Sequence, residues 1–514
     1  MTAHPYANSL TQIGIAIAIT ALIGLLTWAK VRRMTAAAGG HKGSGHDGSG
    51  KDVFLAGGGL SWLYVAGSIT LTNLSTEQLV GMNGNQMLLL AWWEISGFIG
   101  LMILAFVFVP IYYRHQCTTV TELLERRYGG RSIRTVISFL FMFGAITIYL
   151  PAALYSGSLF LASMFGSDMP LIMFAAPMAV IAAAYTIFGG LRAVAVMDTF
   201  SGIGVLAIAV LVVVLALNAV GFDLFSGVPA ERVSMIGAID SPIPFHTLFT
   251  GMLFIQIFYW STNQIITQKA MTAPTVREAQ KGVLAAAVIR ILIIPAIVVI
   301  PGVVAYKLFG DVNDLAYGKI VAMVLPGWLS GAFAALMAAA VIAHTSAILN
   351  GTVALYTVDF HDKFVAPVVK PWRVAAVASV VLTITSVALV PVFENATSII
   401  NLLQQLNGLA SMPILSAFVA GLLFRNVDAR AAVSGVVWGF LFYAFFSAVL
   451  QPQGYTPAWF HYIDAMVVTL FSSVLVSLTV NRFVFGNRAE YLGFRRGMAE
   501  VPQAPGVPTI VAGH

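Results

Sequence analysis

Stretches of about twenty apolar residues recur along almost the whole of this chain, each long enough to cross the hydrocarbon core of a bilayer as a helix. About thirteen such stretches can be marked: 10–29, 60–82, 87–112, 134–165, 171–188, 198–220, 245–267, 281–306, 323–358, 373–393, 398–424, 431–450 and 457–484. A backbone in lipid must satisfy its own N–H and C=O groups, so the pattern predicts an all-α membrane protein. Composition agrees: 59% of the 514 residues are hydrophobic and only 9% are charged, against about a quarter in a soluble domain. The first stretch is too long, and too poor in preceding basic residues, for a cleaved signal peptide; it is read as a helix. The single cysteine, Cys117, allows no intrachain disulfide and no redox motif.

The net charge of +6 does not point to nucleic acid, because the basic residues sort by side. With the N-terminus outside and the C-terminus cytoplasmic, Lys30, Arg32, Arg33, Arg126, Arg127, Arg131, Arg134, Lys269, Arg277, Lys281, Arg495 and Arg496 all face the cytoplasm. Only Arg232, Lys307 and Lys319 fall on the opposite side, and Arg290 lies within a span. That asymmetry is the positive-inside signature of a multi-pass protein of the plasma (inner) membrane. The expected partners are the lipid bilayer and a small molecule.

The spans group into units: an extra helix at 1–34, a Gly/Ser-rich cytoplasmic linker at 35–52, five helices at 53–222, an extracellular loop at 223–244, five more helices at 245–426, two further helices at 427–486 and a loosely ordered cytoplasmic tail at 487–514. His41 and His46 in the linker flank glycines and suggest no metal site. Both five-helix groups open on a span rich in polar residues, TLTNLSTEQLVGMNG (70–84) and FYWSTNQIITQ (258–268). Five being odd, the two groups run in opposite directions. Polar, Gly-interrupted helices at matching positions of inverted halves mark a transporter site, where an unwound helix lines a water-filled cavity.

Five segments taken together carry a more specific identification. NLSTEQLVGMNG, YTIFGGLRAVAVMD (185–198), FYWSTNQIITQKAM with TVREAQKG (275–282), ILNGTVALYTVD (348–359) and LLQQLNGLASMPIL (402–415) follow in order over roughly 53–425. In these the chain resembles the sodium/solute symporter family, and within it the sugar-transporting branch. The resemblance implies a leucine-transporter-type five-plus-five inverted repeat with one helix before it and two after. It implies cation-coupled symport of a sugar or sugar-like polyol by alternating access, with Na⁺ or H⁺ as coupling ion and no cofactor.

The resemblance also carries site positions. Gln78 stands at the sugar-site glutamine of the first core helix and Glu94, in AWWEISG, at the glutamate of the third span. Gln256 stands where a sugar-binding relative has asparagine, Tyr259 at the aromatic closing the site, Arg290 at a lysine and Gln404 at a glutamine. The residue chemistry fits: several amides and a carboxylate at fixed angles read hydroxyls, and aromatic surface such as Tyr259 and Trp260, with Asn263 beside them, suits a sugar ring. Other readings stand beside this one. Glu94 and Arg290 could form a structural buried pair; Arg290 could bind an anionic substrate; Gln256 could be interhelical glue. Trp92 and Trp93 read as interfacial residues, and Glu77 as structural, pointing to another face than Gln78.

For the coupling ion the sequence departs from the family. The resemblance implies a sodium ion held by carbonyls at Leu71, Leu74 and Ala340 and by two hydroxyls of the ninth span, but those hydroxyl positions fall on Ala343 and His344, followed by Thr345 and Ser346. Sodium wants oxygen donors, whereas an imidazole titrates near neutral pH and carries protons. Proton coupling through His344 is therefore favoured over sodium. Asp198, the signature aspartate, could stabilise a leaving cation, relay a proton or cap a helix. No HExxH and no cluster of Cys or His suggests an enzyme. The rivals are a sodium-coupled symporter of a sugar acid, organic acid or amino acid, an uncoupled sensor or facilitator, and a channel.

Overall fold

The computed structural model describes residues 9–37, 59–117, 119–239, 241–365, 371–394, 398–457 and 459–493. Most of the 35–52 linker, with His41 and His46, and the tail beyond 493 lie outside the described residues. Nearer its start the expected tail is fastened: Glu490–Tyr491 pairs antiparallel with Phe424–Arg425.

The labelled helices are α1 (Ser9–Ala37), α2 (Trp62–Asn73), α3 (Thr76–Gly84), α4 (Ala91–Ile103), α5 (Arg131–Gly144), α6 (Leu150–Phe165), α7 (Ile172–Ala219), α8 (Gly251–Ile257), α9 (Gln264–Ala270), α10 (Val276–Leu292), α11 (Gly327–Ala354), α12 (Pro371–Phe393), α13 (Ile399–Leu423), α14 (Ala429–Phe445) and α15 (Tyr462–Phe483). Among the described residues nine helical stretches are long and apolar enough to cross a membrane. They fall on nine of the expected spans, and the shorter apolar helices Ile17–Lys30 and Ile172–Phe188 fall on two more. The remaining two spans are α2 with α3 and α8 with α9, the polar pair, each interrupted in mid-course.

Spans five and six are helical from Ile172 to Ala219 as one run, with Pro177 inside it. A straight helix of that length would reach about 70 Å, over twice the bilayer core. Its two ends nevertheless lie together: Ser163, just before it, packs on Gly318, and Asp223, just after it, accepts from Lys307. The run therefore doubles back. Asp198 lies inside this run; its side chain lies outside the described residues.

The helix at the centre is α11. The span containing it is 94% buried in its apolar window, against 33% for the span at 201–219. Its sequence, rich in Ala with Gly331 and Gly351, lets neighbours approach closely, and close packing rather than water exclusion drives helix association in lipid. Beyond α11 the chain widens into a π-helical run, Leu355–Val365, where Asp359 is wholly buried. Asp359 accepts from Arg134 Nε (2.7 Å), from Thr119 (3.2 Å) and, closer still, from Thr121 and Ser138. Arg134 also binds Glu122 (3.2 Å) and Glu125. This network fastens α5 to the end of α11 on the side rich in arginine.

Candidate functional site

The two interruptions arise from local chemistry. Between α2 and α3, Leu74 (φ −76°, ψ 56°) and Ser75 (φ −81°, ψ 167°) leave helical geometry. Asn, Ser and Thr side chains compete for nearby backbone groups and favour helix ends over interiors. Ser75 stands as the N-cap, and Glu77 occupies the first turn of α3, where the helix dipole favours an anion. In the second half, a π-turn at Phe258–Thr262 leads to Asn263 (φ −78°, ψ 128°). The Asn263 side chain accepts from Ile265 N at 2.9 Å and caps α9.

Between these breaks lies a cavity walled by α4, α10, α11 and α13. Gln78, Gln256, Tyr259, Trp260, Asn263, Arg290, His344 and Gln404 all line it. Glu94 stands just behind the wall, wholly buried. The space left is about 70 Å³, well below the roughly 300 Å³ at which small-molecule pockets begin. The walls must part to admit a solute.

Arg290 fills much of that space. Its guanidinium binds Glu94 and lies 4.3 Å over the Trp260 ring. Gln78 Nε2 donates to the other oxygen of Glu94. The Asn73 amide, assigned from its neighbours, accepts from Arg290 Nη2 at 2.7 Å and donates to the Tyr259 hydroxyl at 3.0 Å. Small residues permit this approach: a Cβ on Gly97 would stand 2.6 Å from Arg290 Nε, and one on Gly100 2.4 Å from the Gln256 carbonyl.

Gln256 borders the cavity, but its amide is engaged between helices. Nε2 donates to Trp93 O (2.7 Å) and Ser96 Oγ (3.1 Å), and Oε1 accepts from Trp260 Nε1 (3.0 Å). Gln404 is reached by Asn407 Nδ2 at 3.0 Å, and Asn407 in turn accepts from Tyr149.

On the opposite wall His344 Nε2 stands 3.3 Å from Glu77 Oε1. His344 Nδ1 is buried without a hydrogen-bond partner. Glu77 thus borders the same cavity as Gln78, contrary to the expectation that it points elsewhere. Successive helical residues are only about 100° apart, and both flank the face that meets the cavity. Trp93 likewise lines the cavity rather than an interface, while Trp92 Nε1 donates to Met235 O at 2.8 Å in the loop after α7. Asn73, Tyr149 and Asn407 were not singled out as site residues from the sequence; Asn73 lies in the polar run 70–84 and Asn407 in the motif 402–415, whereas Tyr149 carried no signal.

The expected cation positions divide. Leu74 and Ala340 are buried, whereas the side chain of Leu71 is not among those described. Ala343 is wholly buried and offers only a methyl. Ser346 does not supply the missing hydroxyl, because it donates to Ile342 O (2.7 Å) and Ala182 O (3.0 Å) within the helix packing. Thr345 Oγ1 is buried and unpartnered. Among the described residues no group of three or more His, Cys, Asp or Glu could hold a metal ion.

Comparison with known proteins adds four findings. The sodium:solute symporter family model matches residues 53–439. The chain is 32% identical to an uncharacterized symporter, YidK, of Escherichia coli, over 92% of this chain and 84% of that one. It is 29% identical to the sodium/glucose cotransporter of Vibrio parahaemolyticus, with 84% of each covered. Its fold is similar to that of a Na⁺-coupled sialic acid symporter solved in a substrate-bound outward-open state (TM-score 0.75, 16% identity, 94% of this chain and 99% of that one).

Proposed function

Given that this chain belongs to the sodium:solute symporter family, we propose that it carries a neutral, hydroxyl-rich solute, a sugar or sugar-like polyol, together with a proton. The observation that carries this reading is the charge inventory of the cavity. Two carboxylates, Glu94 and Glu77, face one permanent cation, Arg290, and one titratable ring, His344. Glu94 already neutralises Arg290, which disfavours the use of the guanidinium on an anionic solute. The cavity then lacks one positive charge, which a proton shared by the His344–Glu77 pair supplies where sodium otherwise would. The names of the relatives, cotransporters of glucose and of myo-inositol, support a polyhydroxylated solute. Gln78 and Gln404 offer it amides, and Tyr259 with Trp260 offers ring surface at 5.2 Å from centroid to centroid.

In the cycle, a proton on His344 favours the form open to the outside, the solute binds between the two interrupted helices, and the bundle rocks until Arg134 and Asp359 part. Each ligand shifts the equilibrium only by its differential affinity for the two forms. The orientation follows the arginine-rich side, which we assign to the cytoplasm of the plasma membrane.

A second reading has its own observation. The Glu77 carboxylate and the unpartnered Thr345 hydroxyl are oxygen donors near the expected carbonyls, and they favour retained sodium coupling. Uptake into proteoliposomes decides between the readings. Labelled glucose, galactose and myo-inositol are offered with H⁺ or Na⁺ gradients imposed separately, and sugar acids and amino acids as competitors. The proposal expects accumulation driven by the proton gradient and resistant to those competitors. Accumulation that follows only Na⁺, or that an acid or amino acid blocks, overturns it, and binding without net uptake identifies a sensor.

A further inference from the structure

Away from the central cavity, α5, the π-helical run 355–365 and α12 enclose a second space of about 610 Å³. It is nearly nine times larger than what the central site leaves open. Its walls are apolar, and four of them, Phe139, Phe143, Val377 and Val381, are exposed on the outer surface of the bundle, where the surrounding medium is lipid. One end is different. His361 and Arg373 both line it there. His361 Nδ1 is buried without a partner, its ring edge-on to Tyr356 at 5.9 Å. Arg373 is exposed and meets no carboxylate among the described residues; its neighbour is the Trp372 ring at 5.5 Å. This polar end lies with Arg134 and Asp359, since Asp359 and His361 share one run and Arg134 and Phe139 share α5.

We propose that this groove is the binding site of an anionic phospholipid, its phosphate held by Arg373 and His361 and an acyl chain laid along Phe139, Phe143, Val377 and Val381. Arginine matches phosphate oxygens bidentately, and an imidazole with a free ring nitrogen adds a donor. Basic pockets between transmembrane helices on the cytoplasmic side take such headgroups, whose leaflet is anionic. A zwitterionic headgroup brings the same phosphate but also its own ammonium, which offsets that charge beside Arg373, whereas an anionic headgroup leaves the phosphate charge to Arg373. Because the groove is formed by the same two elements that the Arg134–Asp359 network joins, a lipid seated there braces the closed gate. The assignment of the site to the cytoplasmic leaflet rests on the orientation given above; the preference for an anionic headgroup does not.

The test uses the full chain in detergent with phosphatidylglycerol and phosphatidylcholine of identical acyl chains, read by native mass spectrometry of retained lipid and by thermal melting. The wild type is expected to retain phosphatidylglycerol in preference to phosphatidylcholine and to melt higher with it. Arg373→Gln is expected to lose that preference, and Arg430→Gln, an exposed arginine paired with its own Asp428 at 3.3 Å, to keep it. Should Arg373→Gln fail to fold, Val377→Trp, which fills the groove from the lipid side, is expected to lose the retained lipid. Equal retention of the two lipids by the wild type overturns the proposal. So does an undiminished preference in Arg373→Gln, or in Val377→Trp.

Discussion

Arg290 and Glu94 are each almost wholly excluded from solvent, and a buried ion pair draws its worth from both partners being present. Removing one leaves an uncompensated charge, at a cost of about 3–5 kcal/mol. Glu94→Gln and Arg290→Met are therefore each expected to lower the melting temperature strongly, and the double variant less than the sum of the two. A double-mutant cycle in detergent measures this; additivity would mean that the pair is not coupled. Arg290→Lys is not a mild change, because it removes the planar group that lies on Trp260 and meets Asn73. His344 and Glu77 form the other pair, and here the expected effect is on transport rather than on folding. Glu77→Gln keeps the shape of the side chain and removes its charge, so proton-driven uptake should fall at least tenfold while the protein melts near the wild-type temperature. A variant that still accumulates solute from a proton gradient would show that the pair is structural.

Among the secondary elements, the interrupted helices and the glycines beside them decide the geometry. Gly100 faces the Gln256 carbonyl so closely that any Cβ must push α8 away from α4. Gly100→Ala is expected to cost about 1–3 kcal/mol and to weaken solute binding, read by thermal melting with and without solute. A second element acts at the outer end. Asp314, in the short turn Asn313–Leu315 between the helices Ile294–Phe309 and Ala316–Val324, accepts from Ile399 N at 2.8 Å at the start of α13 and sits against Gly84 at the end of α3. Burial pushes its carboxyl up to about 7, opposed by the Ile399 hydrogen bond. An acid whose folded pKa is raised contributes stability that is present below its unfolded value, near 3.8, and is lost as pH rises to about 7. The melting temperature should accordingly decline across that window, and Asp314→Asn should flatten the decline. An unchanged pH slope in the variant would contradict this. The two interruptions were legible in the sequence because polar residues crowd into an apolar background. What hid Glu77 and Trp93 was register: neighbouring helical residues diverge by only about 100°, and whether both reach one cavity depends on how wide the facing helices hold it open. The turning-back of α7 was expected as two spans, 171–188 and 198–220, whereas the chain stays helical between them.

Considered as one body, the molecule is closed at its arginine-rich end by Arg134, Asp359 and the hydroxyls of Thr121 and Ser138. Cys117, the one cysteine of the chain, is buried two residues before Thr119, so it reports on that closure. Asp359→Asn should release Arg134 and raise the maleimide labelling rate of Cys117 several-fold, and added solute should change that rate; a rate equal to that of the wild type would locate the gate elsewhere. The order of the helices and the existence of a central site were legible in the spacing of apolar and polar runs. The pair on which the proposed coupling rests was only half legible: the loss of hydroxyls at Ala343 and His344 stood in the sequence, whereas the carboxylate that meets the imidazole appeared only with the fold. The most direct measurement follows the proton itself. In proteoliposomes enclosing a pH-sensitive dye, without Na⁺ and with the membrane potential clamped, addition outside of the sugar proposed as solute should acidify the lumen. His344→Ala should abolish that signal. Sugar entry without acidification, and only in the presence of Na⁺, would contradict the account and leave His344 a spectator.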